Sequence, residues 1–442
     1  DTGSFELVVF SKKCSSCGKA AKYDPEESKN YKKGILKTGQ SYGSGTCSSS
    51  DAWDTVSIGQ FSTANQSFWE VTDAHMPILY SAAFQSIIGL GPPETPQSDA
   101  WTSANSVVHN VSMLLEKGEL PPSTMTSMAS TKTIIATMML ERRTILDNFH
   151  SPSFSVCIGK EPGSDGFFIW NDTSHLTMSQ SFVRVQVVGK HTWSVKMTNA
   201  RLAFKSEDFI QAELDRESEY SDRQTWWVRH KPLRRVQTSK RAFNTTRNNV
   251  MLGCDEGCSA LVDSGTSLLS VPTVIIDKLM IAVQKLHTNC SNIKDLPNLE
   301  FELGGKRFSL PPDSYIVEVG SGAVPSYLSD FVRIRTLTSE SDAYSKTHCE
   351  LAVMETFSSG QFGPLWILGL PFFRNYYTTF SVGETKSERS LYMAHAGPDC
   401  FPVDKHTASQ QPLQLYRRRV DLAKIWIPAS AAKASSMREV LL

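Results

Sequence analysis

Two acidic residues stand in nearly the same setting. Asp1-Thr2-Gly3-Ser4 opens the chain, and Asp263-Ser264-Gly265-Thr266 recurs far downstream. Each carboxylate is followed by a hydroxyl, a glycine and a second hydroxyl. Apolar runs lie beside both: Leu7-Val8-Val9 at the first, Ala260-Leu261-Val262 and Leu268-Leu269 at the second. Two unrelated Asp-Gly turns are the plain alternative, since both residues are common in turns. A matched pair has a further use. Two carboxyl groups held about 3 Å apart cannot both ionise cheaply, so one keeps its proton. The ionised member can then take a proton from a trapped water while the protonated member polarises a carbonyl. That is general acid–base hydrolysis of an amide without a metal or a covalent intermediate. Glycine lets the backbone turn sharply behind each acid. The hydroxyls have work on the same plan: Thr2 and Ser264 to brace the loops, Ser4 and Thr266 to orient the carboxylates.

A near-repeat of this kind implies two halves that each contribute one acid at a pseudo-twofold seam. The rest of the chain suits that plan. Short β-like runs dominate, among them Val56–Ile58, Phe182–Val188, Ser194–Met197, Leu299–Leu303 and Trp366–Leu368. Helical patterns are few: Val274–His287, which follows Pro272-Thr273, and Ser106–Gly118. The expectation is an all-β, bilobal molecule with a few covering helices. Its N-terminal lobe would span residues 1–160, its C-terminal lobe 161–400, and a tail 401–442. Residues 120–150 look inserted, being rich in Thr, Met and Ser before Glu141-Arg142-Arg143. So do residues 206–252, which pass from an acidic run (Glu207 to Asp222) through Trp226-Trp227 to a basic one (Arg223 to Arg247). A docking loop and a solvated insertion without a partner are both open readings there, the second preferred. For the tail, disorder is the default and a short amphipathic helix over Val420–Ile427 the alternative.

Further runs carry a resemblance. Tyr42-Gly43-Ser44-Gly45 is similar to the hairpin tip that closes over substrate in pepsin-like aspartic proteases, and Asp54–Gly59 to its returning strand. Phe84–Gly91 resembles the strand that crosses behind the first acidic loop of that family, Trp366–Phe380 its C-terminal counterpart, and Phe154–Ile158 the inter-lobe strand. The chain is identified as a member of this family over most of residues 1–400. The resemblance implies an aspartic endopeptidase of the bilobal pepsin-like fold with Asp1 and Asp263 as the catalytic pair. The flap of Tyr42, Gly43, Ser44 and Gly45 would cover an extended peptide through backbone bonds, as if adding a strand. No cofactor and no metal are called for. Disulfides Cys14–Cys17, Cys254–Cys258 and Cys290–Cys349 match places where the family forms them. A zinc site from the first two pairs would need distant loops to converge and has no accompanying His pattern. Cys47, Cys157 and Cys400 are then left over, with Cys47 near the flap either a modulating thiol or an inert one. The family also places a tryptophan near the first loop, bonded to the flap tyrosine; Val8 stands there instead. A non-catalytic peptide-binding or inhibitor-like member of the same fold is therefore the rival reading. Since the first motif sits at residue 1, the chain is expected to be part of a longer parent with a pro-segment. A free ammonium on Asp1 would lower that carboxyl's pKa.

Balanced charge, 45 basic against 45 acidic residues, gives no push towards nucleic acid or an anionic membrane. No apolar run is long enough to span a bilayer. The expected partner is an extended polypeptide substrate, and a monomer is expected. Nine cysteines and N-x-[ST] triplets at Asn65, Asn110, Asn171, Asn244 and Asn289 suit a glycoprotein of the secretory pathway, extracellular or in a lysosome- or vacuole-like compartment.

Overall fold

The computed structural model of the protein describes residues 1–204, 245–246, 249–283, 286–287, 289–320, 332–335, 347–404, 414–427 and 440–441. Strands dominate them, as the all-β expectation requires. In Lys32–Tyr42 the alternation is plain: Leu36, Thr38, Gln40 and Tyr42 are buried while Lys37 and Gly39 between them are exposed. Period-2 burial of this kind is what a half-buried strand produces. This strand, Gly45–Ile58 and Phe61–His75 form a long meander, joined by Leu7–Phe10 and Ser86–Ile88 into the first sheet. Val440–Leu441 pairs with its outer edge at Lys37–Thr38.

A second, larger sheet is drawn from residues 194–420. At its centre lies Cys258–Val262, buried at every position, as a strand covered on both faces must be. A third sheet of five strands mixes early and late chain: in order, Gly166–Trp170, Ser153–Ile158, Tyr376–Ser381, Ser390–His395 and Val183–Gln186. Its core face stacks Phe154 on Phe380 at 4.8 Å between ring centres, with Trp193 edge-on to Phe380 at 5.3 Å. Elements widely separated in sequence are thereby fixed against one another.

The helices differ from expectation. The one read at Ser106–Gly118 spans Thr95–Glu116, and the one read at Val274–His287 spans Thr273–Val283. Within the stretch taken as an insertion, Ser123–Met139 is a helix that packs on Thr95–Glu116. Its threonines disguise it, since Thr is a weak helix former. Thr133 and Thr137 instead turn their hydroxyls back onto Ala129 O and Thr133 O, at 2.9 and 3.0 Å. Arg142, just beyond, is buried beside Asp51 at 3.5 Å, with its guanidinium 4.1 Å from the Trp69 ring centre. The acidic-to-basic run that follows Phe204 lies outside the described residues up to Asn244, but Asn249–Gly253 pairs with Ser194–Ala203.

Two further expectations are corrected. Cys157 and Cys400 are not left over: they are bonded to each other, with Cα atoms 5.4 Å apart. The others pair as Cys14–Cys17, Cys254–Cys258 and Cys290–Cys349. Residues 414–427 of the tail are neither disordered nor an amphipathic helix. Arg419–Val420 is a strand parallel to Glu318–Val319, Leu422–Lys424 a single tight turn capped by Asp421, and Ile425–Ile427 extended. The apolar side chains of Leu422, Ile425 and Ile427 outweigh the short helical pattern, because a sheet face lined by Val319, Met354 and Leu268 buries all three.

Candidate active site

Each acidic loop is held by the strand that crosses behind it. The Asp263 amide donates to Leu368 O at 3.1 Å, and the Asp1 nitrogen donates to Ile88 O at 3.0 Å. The two crossing strands continue as Gly89 and Gly369, and both glycines are required by space. A β-carbon on Gly89 would stand 2.7 Å from Glu6 O, and one on Gly369 would overlap the carbonyls of Leu268 and Thr266. The glycine in each crossing strand thus lets two backbones pass at contact distance.

The loops also hold each other. Thr2 Oγ1 donates to Val262 O at 2.9 Å and accepts from the Ser264 amide at 2.9 Å. In return the Thr2 amide donates to Ser264 Oγ at 3.2 Å. Both hydroxyls therefore sit at the seam. Within each loop the carboxylate accepts from the glycine two residues on, Gly3 N–H to Asp1 Oδ1 at 2.9 Å and Gly265 N–H to Asp263 Oδ1 at 2.8 Å. Thr266 Oγ1 donates to Asp263 Oδ2 at 2.6 Å. The first loop departs here: Ser4 reaches Asp1 through its amide, at 3.2 Å, while its hydroxyl is buried without a partner among the described residues. The role expected of the Ser4 hydroxyl is thus taken by its backbone, because the turn points the N–H rather than the side chain at the carboxylate.

Each carboxylate reaches across this seam to the opposite loop. A β-carbon on Gly3 would stand 2.5 Å from Asp263 Cγ, and one on Gly265 would stand 2.5 Å from Asp1 Cγ. Each acid therefore lies directly over the other loop's glycine. Asp263 is wholly buried, and burial raises its pKa above the ordinary carboxylate range, opposed by the Thr266 and Gly265 bonds.

In the hairpin tip of Tyr42, Gly43, Ser44 and Gly45, Tyr42 and Ser44 are buried. What buries them was not foreseen. Residues Ile425–Ile427 run between this tip and the second loop. Trp426 N–H donates to Ser267 Oγ at 2.9 Å, and its carbonyl accepts from Ser267 N–H at 3.4 Å. Ile427 repeats the pattern with Ser44: N–H to Oγ at 2.8 Å, and carbonyl from N–H at 3.2 Å. The Trp426 ring lies 5.0 Å from that of Tyr42 and 5.6 Å from that of Phe84. An indole does reach the flap tyrosine, from residue 426 rather than from the position of Val8. Ser267, Phe84, Trp426 and Ile427 were not singled out as site residues. The available signal was the Ile425-Trp426-Ile427 run, which is too apolar for a solvated tail. Cys47, two residues past the tip, is buried and outside any disulfide, its thiol donates to Gln40 Oε1 at 3.3 Å, and burial pushes its pKa up to about 12. Its burial suits an inert thiol rather than a modulating one.

The family profile of the eukaryotic aspartyl protease matches residues 1–215 and 218–390. The chain is 25% identical over 399 residues to gastricsin of Homo sapiens, covering 87% of this chain and 75% of that one. It is 23% identical over 398 residues to gastricsin of Suncus murinus, with 87% and 75% covered. Against pepsin A of Bos taurus it is 25% identical over 397 residues, with 87% and 77% covered.

Proposed function

The chain belongs to the eukaryotic aspartyl protease family, and from that premise we propose that it is an endopeptidase with Asp1 and Asp263 as its catalytic pair. One observation carries the reading: each carboxylate stands over the opposite glycine, inside a mutually braced pair of loops. Burial disfavours a second negative charge there, so Asp263 keeps a proton to higher pH than a free aspartate would. The pair titrates as a unit, and acid and base roles exchange through the cycle. A water between the carboxylates loses a proton to the ionised member and attacks the scissile carbonyl. The protonated member donates to the carbonyl oxygen, and proton return to the amide nitrogen releases the amine.

Tyr42 and Gly43–Gly45 cover an extended peptide in this reading, and backbone bonds fix the position of its scissile bond. The rest of the molecule supports passage through the secretory pathway: four disulfides suit an oxidising compartment, and Asn65, Asn110, Asn171 and Asn289 are exposed. No helix among the described residues is long and apolar enough to cross a membrane.

The test is cleavage of a peptide library from about pH 3 to 7, the range of paired carboxylates, with Asp263→Asn and a statine-type inhibitor as controls. Cleavage that falls by at least about 10²-fold in the variant, the lower figure for acid–base groups, is the expected result. A folded protein that binds the inhibitor yet cleaves nothing would establish the peptide-binding, non-catalytic alternative.

A further inference from the structure

The segment Ile425–Ile427 is bonded to the flap tip on one side and to the residue after the second acidic loop on the other. Ser44 and Ser267 each have one amide proton and one hydroxyl, and all four are engaged by Trp426 and Ile427. Successive residues bond to opposite walls, which is the alternation of an extended strand laid between two edges. The side chains are received as well. Trp426 lies against two aromatic rings, and Ile427 is fully buried where the flap has no side chain. A β-carbon on Gly43 would stand 2.7 Å from Ile427 Cβ, so a branched residue fits only beneath glycine.

We propose that the chain's own residues 425–427 occupy the peptide channel as a tethered competitor, and that the channel accepts an aromatic residue followed by a branched aliphatic one. This rests on the reading of the site as a peptide channel and adds its resident occupant and its preference. The tether is what makes a short segment effective. Arg419–Val420 is paired with Glu318–Val319, the Tyr416 amide donates to Asp313 at 3.0 Å, and Leu422 and Ile425 are buried in the adjoining apolar cluster. Held this way, the segment acts at an effective concentration on the order of millimolar, so modest contacts compete with a dilute substrate. Occupancy and substrate binding exclude one another, because both draw on the same two serines.

The experiment compares the full chain with its Trp426→Gly/Ile427→Gly form, using a fluorescent statine-type inhibitor as the probe. Removing the competitor should tighten probe binding at least threefold. Where peptides are cleaved, it should lower KM by the same factor. A change below threefold overturns the proposal, and so does failure of both folded forms to bind the probe. Probe binding reads occupancy without turnover. Tighter binding with no cleavage therefore keeps the competitor and removes the endopeptidase; cleavage with equal KM and equal probe affinity does the reverse. A measurement on the unaltered chain guards against a variant that fails to fold. The Trp426 and Ile427 amides should exchange slowly with deuterium and lose that protection when the probe saturates the channel. Protection that persists under saturating probe also overturns the proposal.

Discussion

At the scale of single residues, the site depends on what is absent as much as on what is present. Gly3 and Gly265 leave room for the opposite carboxylates, and either alanine substitution would force the loops apart. Gly3→Ala and Gly265→Ala should each cost about 1–3 kcal/mol in denaturant unfolding, the usual cost of overpacking. Their loss of activity should exceed what that stability change explains, since carboxylates displaced by an ångström no longer share a water. Asp263 sets a pH dependence of its own. Its folded pKa is raised by burial, so the folded protein holds this proton to higher pH than the unfolded chain. The associated stability is fully present below about pH 4, the ordinary aspartate value, and is lost as pH rises through the raised value. Denaturant midpoints measured from pH 4 to 7 should therefore fall more steeply in the parent than in Asp263→Asn.

At the scale of elements, the flap meander is stiffened from behind by a buried ion pair. Asp51, on Gly45–Ile58, accepts from the Leu36 amide at 2.9 Å and faces Arg142, which lies near Trp53 and Trp69. Burial pushes both towards their neutral forms, Asp51 upward and Arg142 down to about 10, while each charge opposes the other's shift. Such a pair adds little when whole and costs much when halved. Arg142→Met alone should lose about 3–5 kcal/mol in guanidinium unfolding. The double change Asp51→Asn/Arg142→Met should lose clearly less than the sum of its singles. The helix Ser123–Met139 matters here because it leads into Arg142 and contributes Ile135 and Met139 to the apolar cluster that holds Val8 and Trp69. A stretch that reads as an insertion thus backs the first loop.

At the scale of the whole molecule, distant segments are tied into one frame. The Cys157–Cys400 bond closes 243 residues, whereas Cys14–Cys17 closes three. Chain-entropy arithmetic gives about 5 kcal/mol for the long closure and about 2 for the short one. Replacing both partners by alanine should therefore lower the unfolding free energy far more for the first pair than for the second. The third sheet works to the same end, pairing Ser153–Ile158 with Tyr376–Ser381 beneath the stacked rings of Phe154 and Phe380. On this frame the chain's late segment reaches back to Ser44, 383 positions earlier in sequence.

The sequence by itself determined the parts whose chemistry is local. Repeated acid, hydroxyl and glycine residues marked both loops, because carboxylate-to-amide bonds within a turn involve neighbours in the chain. Short β-like runs marked the strands for the same reason, and the all-β character followed. Less was legible where local preference and final environment disagree. Threonine-rich Ser123–Met139 hides a helix, since back-bonded hydroxyls and burial against a neighbouring helix decide it. The Cys157–Cys400 pair, the burial of Arg142 and the path of Ile425–Ile427 needed the tertiary structure. Each joins residues that no periodicity links, and each is decided by which surfaces meet when the sheets pack. A short apolar run carries no address in its own sequence; here it is set by an apolar sheet face and two serines that leave matching bonds to be made.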